Sequence, residues 1–201
     1  MENRKVFEFT YAEYPANEPI WGLLMVLISF VPHLIPIVVF TRYVTLKCHH
    51  HMYFFVGLVA SHEFAKILKK WIRQPRPIGA PLSTYGMPSD HSQFVAFTAI
   101  YLFQVLIARQ GMRKSALFLS CISMIFICIG VLYSRVYLRA HTLEQVLVGA
   151  GLGLITGRLW YWFTRTILLK WTKFTGFTDR VYDFCFDLFL GSPQNSKSKK
   201  R

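Results

Sequence analysis

An all-α fold that crosses a membrane several times is predicted by three observations. Of the 201 residues, 53% are hydrophobic, and the mean hydropathy is positive. The apolar residues come in runs rather than at alternating positions. The charged residues, 23 Lys and Arg against ten Asp and Glu, gather between those runs.

A spanning helix takes about 20 mostly apolar residues, and the elements read in order as follows. Residues 1–19 form a polar N-terminal segment with Glu2, Glu8, Glu13 and Glu18, without the pattern of a cleavable signal peptide. Five candidate spans follow: Ile20–Thr41, Met52–Leu68, Gln93–Ala108, Ala116–Tyr133 and Gln145–Leu169. Pro32 and Pro36 predict a kink in the first, and a re-entrant helix in that Pro-broken segment would raise the count to six. Residues 20–169 thus make a polytopic membrane helix bundle of about five or six spans. Residues 170–190 read as an interfacial amphipathic helix, with Asp179, Asp183 and Asp187 striped against Val181, Phe184 and Leu188. Residues 191–201 read as a disordered basic tail, in which Lys197 and Lys199 resemble a dilysine endoplasmic-reticulum retrieval signal.

A net charge of +13 would suggest nucleic acid in a soluble protein, but here the basic residues flank spans. No nucleic-acid partner is expected. The positive-inside rule puts Arg42, Lys47, Arg109, Arg113, Lys114 and the C-terminus in the cytoplasm. The loops Lys69–His91 and Ser134–Glu144 then share the opposite face, although they carry Lys69, Lys70, Arg73, Arg76, Arg135 and Arg139. Basic residues on the disfavoured side call for a local purpose, and two such loops on one face can build a single anion site.

Their contents fit phosphate chemistry. The first loop supplies Lys69, Arg76 and then Ser89, Asp90 and His91 at the start of a span; the second supplies Arg135 and His141. Guanidinium groups chelate phosphate oxygens in pairs, a helix N-terminus offers free amides, and two histidines can divide nucleophilic and acid–base work.

Three ordered motifs carry a family resemblance: K-x6-R-P at Lys69–Pro77, P-S-x-H at Pro88–His91 and S-R-x5-H at Ser134–His141. Together they resemble the lipid phosphate phosphatase superfamily, the type 2 phosphatidic acid phosphatases. EYPA at Glu13–Ala16, RQPRP at Arg73–Pro77, YGMPSDHSQF at Tyr85–Phe94 and YSRVYLRAHTLEQVL at Tyr133–Leu147 are most similar to its dolichyl-diphosphate phosphatase branch. The resemblance implies that His141 attacks phosphorus and forms a phosphohistidine, and that His91 acts as general acid and then base. It implies that Lys69, Arg76, Ser89 and Arg135 hold the phosphate oxygens, helped by a backbone amide near Asp90. It further implies a multi-pass endoplasmic-reticulum membrane enzyme with a lumenal site, which hydrolyses dolichyl diphosphate without cofactor or metal and recycles the lipid carrier for N-glycosylation.

Two positions depart from the superfamily pattern. Asp90 stands where glycine is common, and its carboxylate would repel phosphate unless it turns away or caps the helix beside it. Gln145 stands where aspartate is common, four residues after His141. On a helix, i and i+4 share a face, so Gln145 would orient the His141 imidazole, with Glu144 as the lesser alternative.

The remaining features have plainer readings. Cys48–His51 (CHHH) cannot converge on one ion, and ten acids in the chain are too few for a carboxylate-held metal pair beside the site. His62–Lys66 (HEFAK) reads as a helix end, in which Glu63 pairs Lys66, Lys70 or Arg76 or else positions a phosphate ligand. Lys70, Arg73 and Arg139 read as interface anchors. Cys121 and Cys128 read as small core residues. Gly149, Gly153 and Gly157 let a neighbouring helix approach closely, or else form a homodimer face. Two other functions compete: a phosphatase for another lipid phosphate or polyprenyl diphosphate, and an inactive lipid-phosphate binding or carrier protein.

Overall fold

Each long apolar run folds as a helix because, away from water, the backbone must satisfy its own polar groups. In the computed structural model the described residues are 4–7, 12–46, 49–80, 84–108 and 112–168, so the expected interfacial helix, the basic tail, Lys47, Cys48 and Arg109 lie outside them. Six α-helices follow a short antiparallel ribbon: β1 (Arg4–Phe7), β2 (Ala12–Pro15), α1 (Pro19–Ser29), α2 (Val31–Leu46), α3 (His49–Ile72), α4 (Asp90–Ala108), α5 (Lys114–Tyr137) and α6 (Leu143–Phe163). A π-helical turn, Thr164–Leu168, continues α6.

The ribbon is an addition to the all-α expectation. Its β2 strand carries Glu13, Tyr14 and Pro15 of EYPA and seats Tyr14 where a Cβ on Gly22 of α1 would lie 2.5 Å from the Tyr14 ring. Tyr137 Oη donates to Glu18 at 3.0 Å, and Leu138 joins Met25 and Val26 in a small core. The N-terminal segment therefore braces the turn that follows α5.

The expected first span breaks at Phe30 rather than merely kinking. Pro32, in the first turn of α2, lacks the N–H that would continue the hydrogen-bond ladder of α1. The break makes two helices of 11 and 16 residues. Among the described residues, four helical segments are long and apolar enough to cross a membrane: Pro19–Leu46, Asp90–Ala108, Lys114–Tyr137 and Leu143–Ile167. The expected span Met52–Leu68 lies in α3, which has the length but is more polar, carrying His50, His51, His62, Glu63, Lys66, Lys69 and Lys70.

At the centre stands α4, with ten buried residues from Ser92 to Leu106. Phe97 and Tyr101 stack with Phe54 of α3, Tyr101 at 4.7 Å from the Phe54 ring, in a core shared with Val39, Leu58 and Val105. Gly149, Gly153 and Gly157 face α4 of the same chain: a Cβ on Gly149 would lie 2.5 Å from Ser89 O, and one on Gly153 2.2 Å from Gln93 O. That stripe holds α4 against α6. By contrast, Phe118, Leu119, Ile125, Phe126 and Ile129 of α5 are exposed, as suits a lipid-facing surface.

Candidate active site

The end of α3, the start of α4 and the α5–α6 turn meet at one end of the bundle, so the two basic loops do combine. After α5, Arg139 takes left-handed backbone (φ 54°), and the amides of Ala140 and His141 both donate to Arg135 O at 3.1 and 3.2 Å. This tight turn puts the buried His141 beside the Arg135 backbone.

His141 is held from both sides. Arg76 Nη1 lies 3.0 Å from His141 Nε2 and also donates to Ala140 O at 2.8 Å. Since a guanidinium only donates, Nε2 accepts and the ring proton sits on Nδ1. Nδ1 in turn meets Gln145 Oε1 at 3.2 Å. Burial, then the charges of Arg76, Arg135 and Lys69, push the His141 pKa down to about 3. The imidazole is neutral at physiological pH, with its lone pair on Nε2.

The Gln145 contact does not arise from a shared helix face, because His141 precedes the helix. Thr142 is the N-cap of α6 and forms a capping box with Gln145: Gln145 N donates to Thr142 Oγ1, and Thr142 N donates to Gln145 Oε1, both at 3.3 Å. The side chain that closes the box therefore also receives the imidazole. Its amide nitrogen donates to Pro75 O at 2.8 Å and to Gln74 Oε1 at 3.1 Å. These acceptors fix which end of the amide faces His141. Gly86 closes the pocket, since a Cβ there would lie 2.3 Å from Gln145 Oε1. Glu144 is exposed, and the contact belongs to Gln145.

Around this core lie the other predicted site residues. Arg76 Nε reaches Thr84 O and Oγ1 at 3.2 and 3.3 Å, which anchors the guanidinium to its own loop. Ser89 is fully buried, its amide donating to Gln145 O at 3.0 Å and its hydroxyl accepting from Ser92. The first bond of α4 runs from Gln93 N to Ser89 O, so the amides of Asp90, His91 and Ser92 precede the intrahelical ladder. Ser89 thus holds the cap position expected of Asp90, whose carboxylate instead pairs with Lys69. Arg135 Nε is buried without a hydrogen-bond partner among the described residues.

His91 opens the buried face of α4, its ring meeting His33 edge-on at 4.8 Å between centroids. His33 reaches the site because the chain restarts at Phe30: His33 N donates to Phe30 O at 2.9 Å in the first turn of α2. Below the site, Gln93 Nε2 donates to Ser61 O and Oγ at 2.6 and 2.7 Å, and Ser61 reaches Thr156 at 3.1 Å, linking α4, α3 and α6.

Gln74, Gly86 and His33 escaped the sequence reading. Only the capping box left a signal, Thr142-x-x-Gln145 before an apolar run. Other expectations resolve simply. Glu63 pairs with Lys66 at 2.7 Å on an exposed face. Arg73, also left-handed (φ 54°), donates to Lys70 O at 2.9 Å and ends α3. His50 stacks on Tyr101 at 5.7 Å. Cys121 and Cys128 are free and half-buried. Among the described residues, no three His, Cys, Asp or Glu side chains group as metal ligands.

The profile of the PAP2 superfamily matches residues 50–168. Dolichyldiphosphatase 1 of Homo sapiens is 36% identical over 171 residues, covering 79% of this chain and 71% of that protein. Dolichyldiphosphatase of Saccharomyces cerevisiae is 33% identical over 130 residues, covering 57% and 54%. Lipid phosphate phosphatase gamma of Arabidopsis thaliana is 30% identical over 174 residues, covering 82% and 75%. Among solved structures, a transmembrane PAP2-type phosphatidylglycerolphosphate phosphatase from Bacillus subtilis superposes with a TM-score of 0.64 at 26% identity, covering 74% of this chain and 79% of that one.

Proposed function

The chain belongs to the PAP2 superfamily, and we propose that it hydrolyses dolichyl diphosphate to dolichyl phosphate and inorganic phosphate through a phosphohistidine at His141. The observation that carries this reading is the line Arg76–His141–Gln145, which leaves a neutral imidazole with its lone pair on Nε2. His141 Nε2 attacks the terminal phosphorus as the bond to the bridging oxygen breaks. His91 protonates the departing lipid phosphate, then takes a proton from the water that cleaves the P–N bond. Lys69, Arg76, Arg135, Ser89 and the first amides of α4 hold the equatorial oxygens, where phosphoryl transfer most needs charge stabilisation.

Gln145 serves this scheme without a charge. The amide oxygen keeps the proton on Nδ1, and the positive charge that develops on the ring is offset by the phosphoryl oxygens bonded to it. The tautomer held by Arg76 and Gln145 favours catalysis over an inactive binding role. The lipid, and with it the recycling of the carrier for N-glycosylation, is read from the relatives named dolichyldiphosphatase; the endoplasmic-reticulum membrane is read from that likeness and the Lys197 and Lys199 pair, and the lumenal side of the site from the positive-inside rule.

The experiment is phosphate release by purified protein in detergent with excess EDTA. Dolichyl diphosphate is compared with phosphatidate, a sphingoid base phosphate and undecaprenyl diphosphate. The reading requires release from dolichyl diphosphate that survives EDTA and is lost in His141→Ala. Preference for another lipid would change the substrate, and lipid binding without release in the wild type would leave a binding protein.

A further inference from the structure

Asp90 stands where the phosphate-binding cations converge. Its Oδ2 is ion-paired with Lys69 Nζ, and both side chains are largely withdrawn from solvent. The same carboxylate lies within electrostatic reach of Arg76 and Arg135. Its Oδ1 is buried and has no hydrogen-bond partner among the described residues. Asp90 is also the first residue of α4, where the helix dipole favours an anion, carboxylate or phosphate alike.

One carboxylate thus meets the requirements a phosphate group would meet. It pairs Lys69, sits in the field of two arginines and occupies a helix N-terminus. Three cations gathered in a half-buried site would otherwise repel one another, and an unpaired buried charge is costly. We propose that Asp90 is an internal counter-anion, displaced from Lys69 by the terminal phosphate of the substrate and returning to Lys69 to weaken the hold on the phosphate product. This rests on the phosphatase reading above and adds a residue that sets phosphate affinity.

Two consequences follow from the charge balance. With Asp90 in place, Lys69, Arg76 and Arg135 present a net charge of two rather than three, so free phosphate is held less tightly. A diphosphate lipid, which carries more charge and has a second phosphate and a chain to bind, competes with the carboxylate better than inorganic phosphate does.

The test is equilibrium binding of radiolabelled inorganic phosphate to the full chain in detergent, for wild type, Asp90→Asn, Asp90→Ser and Asp90→Glu. Asp90→Asn and Asp90→Ser are expected to bind phosphate roughly tenfold tighter or more, the scale of one close charge contact. Asp90→Glu, which keeps the charge, stays near wild type, and added salt narrows the gap. Thermal unfolding in the same detergent shows which variants are folded, and the two uncharged variants guard against one of them failing. Unchanged or weaker phosphate binding in a folded uncharged variant overturns the proposal. Because the assay needs no turnover, it decides the role of Asp90 separately from hydrolysis of dolichyl diphosphate, which decides the phosphatase reading.

Discussion

Arg76 Nη1 stands 3.0 Å from His141 Nε2, so the atom proposed to attack phosphorus is held by the guanidinium proposed to bind the phosphate. In the proposed mechanism an incoming phosphate takes that guanidinium onto its own oxygens and so uncovers the lone pair. Positioning of the substrate and exposure of the nucleophile are thereby one event.

Removing the guanidinium should separate these effects. Arg76→Gln is expected to lower kcat/KM about 10²- to 10³-fold, the usual scale for loss of a charge-stabilising donor. It should also raise the His141 pKa, since the Arg76 charge is among the causes that hold it at about 3. NMR titration of labelled histidine, with His141→Ala for assignment, reads this second effect directly.

The same ionisation links to stability with a definite sign. The folded His141 pKa is near 3 against an ordinary 6.5, so between those values the unfolded chain binds more protons. Its contribution to stability is full above 6.5 and is lost as pH falls from 6.5 towards 3. Unfolding midpoints measured across that range should fall less steeply with acid in His141→Ala than in wild type.

Gln145 should prove specific as an amide rather than merely polar. Its nitrogen faces two acceptors, Pro75 O and Gln74 Oε1. In Gln145→Glu a carboxylate oxygen would meet both, so this variant should lose both activity and thermal stability despite its added charge. Gln145→Leu frees the imidazole to change tautomer, with kcat reduced about 10²- to 10⁴-fold. Gln74→Leu should lose part of kcat, whereas Gln74→Glu keeps the acceptor and restores it. Steady-state kinetics with melting curves test the set.

Close approach makes two glycines sensitive. A Cβ on Gly86 would strike the Gln145 amide at 2.3 Å, and one on Gly153 would strike Gln93 O at 2.2 Å. Gly86→Ala should act chiefly on kcat by displacing the amide. Gly153→Ala should act chiefly on stability, at the cost of about 1–3 kcal/mol typical of overpacking, measured by unfolding in detergent.

His33 should matter through its ring. Its edge-on contact with His91 predicts that His33→Ala lowers kcat and shifts the pH profile assigned to His91, while His33→Phe recovers most of both by restoring the packing. Failure of Phe to recover activity would give the His33 nitrogens a direct part in proton transfer.

Much of this protein was legible in its sequence because the signals are local. Apolar runs place the helices, and Lys69, Arg76, His91, Arg135 and His141 declare themselves by residue type at span boundaries. The less legible parts depend on contacts between distant segments. Gln74 matters because Gln145 Nε2 reaches it across 71 positions, and Gly86 matters because that amide fills the space beside it. His33 enters through a helix break whose direction Pro32 alone does not specify. The sequence pairs His141 with Gln145 through a shared helix face, whereas the structure makes the contact through an N-terminal capping box, because His141 stands outside the helix.

The proposed mechanism requires a covalent phosphoryl group on His141. Rapid quenching of the purified protein with dolichyl diphosphate labelled in its terminal phosphate tests it most directly. Transient, acid-labile and base-stable label is expected on the peptide containing His141 and is absent in His141→Ala. Turnover without protein-bound label under conditions that slow the second step, or label on another residue, would contradict it.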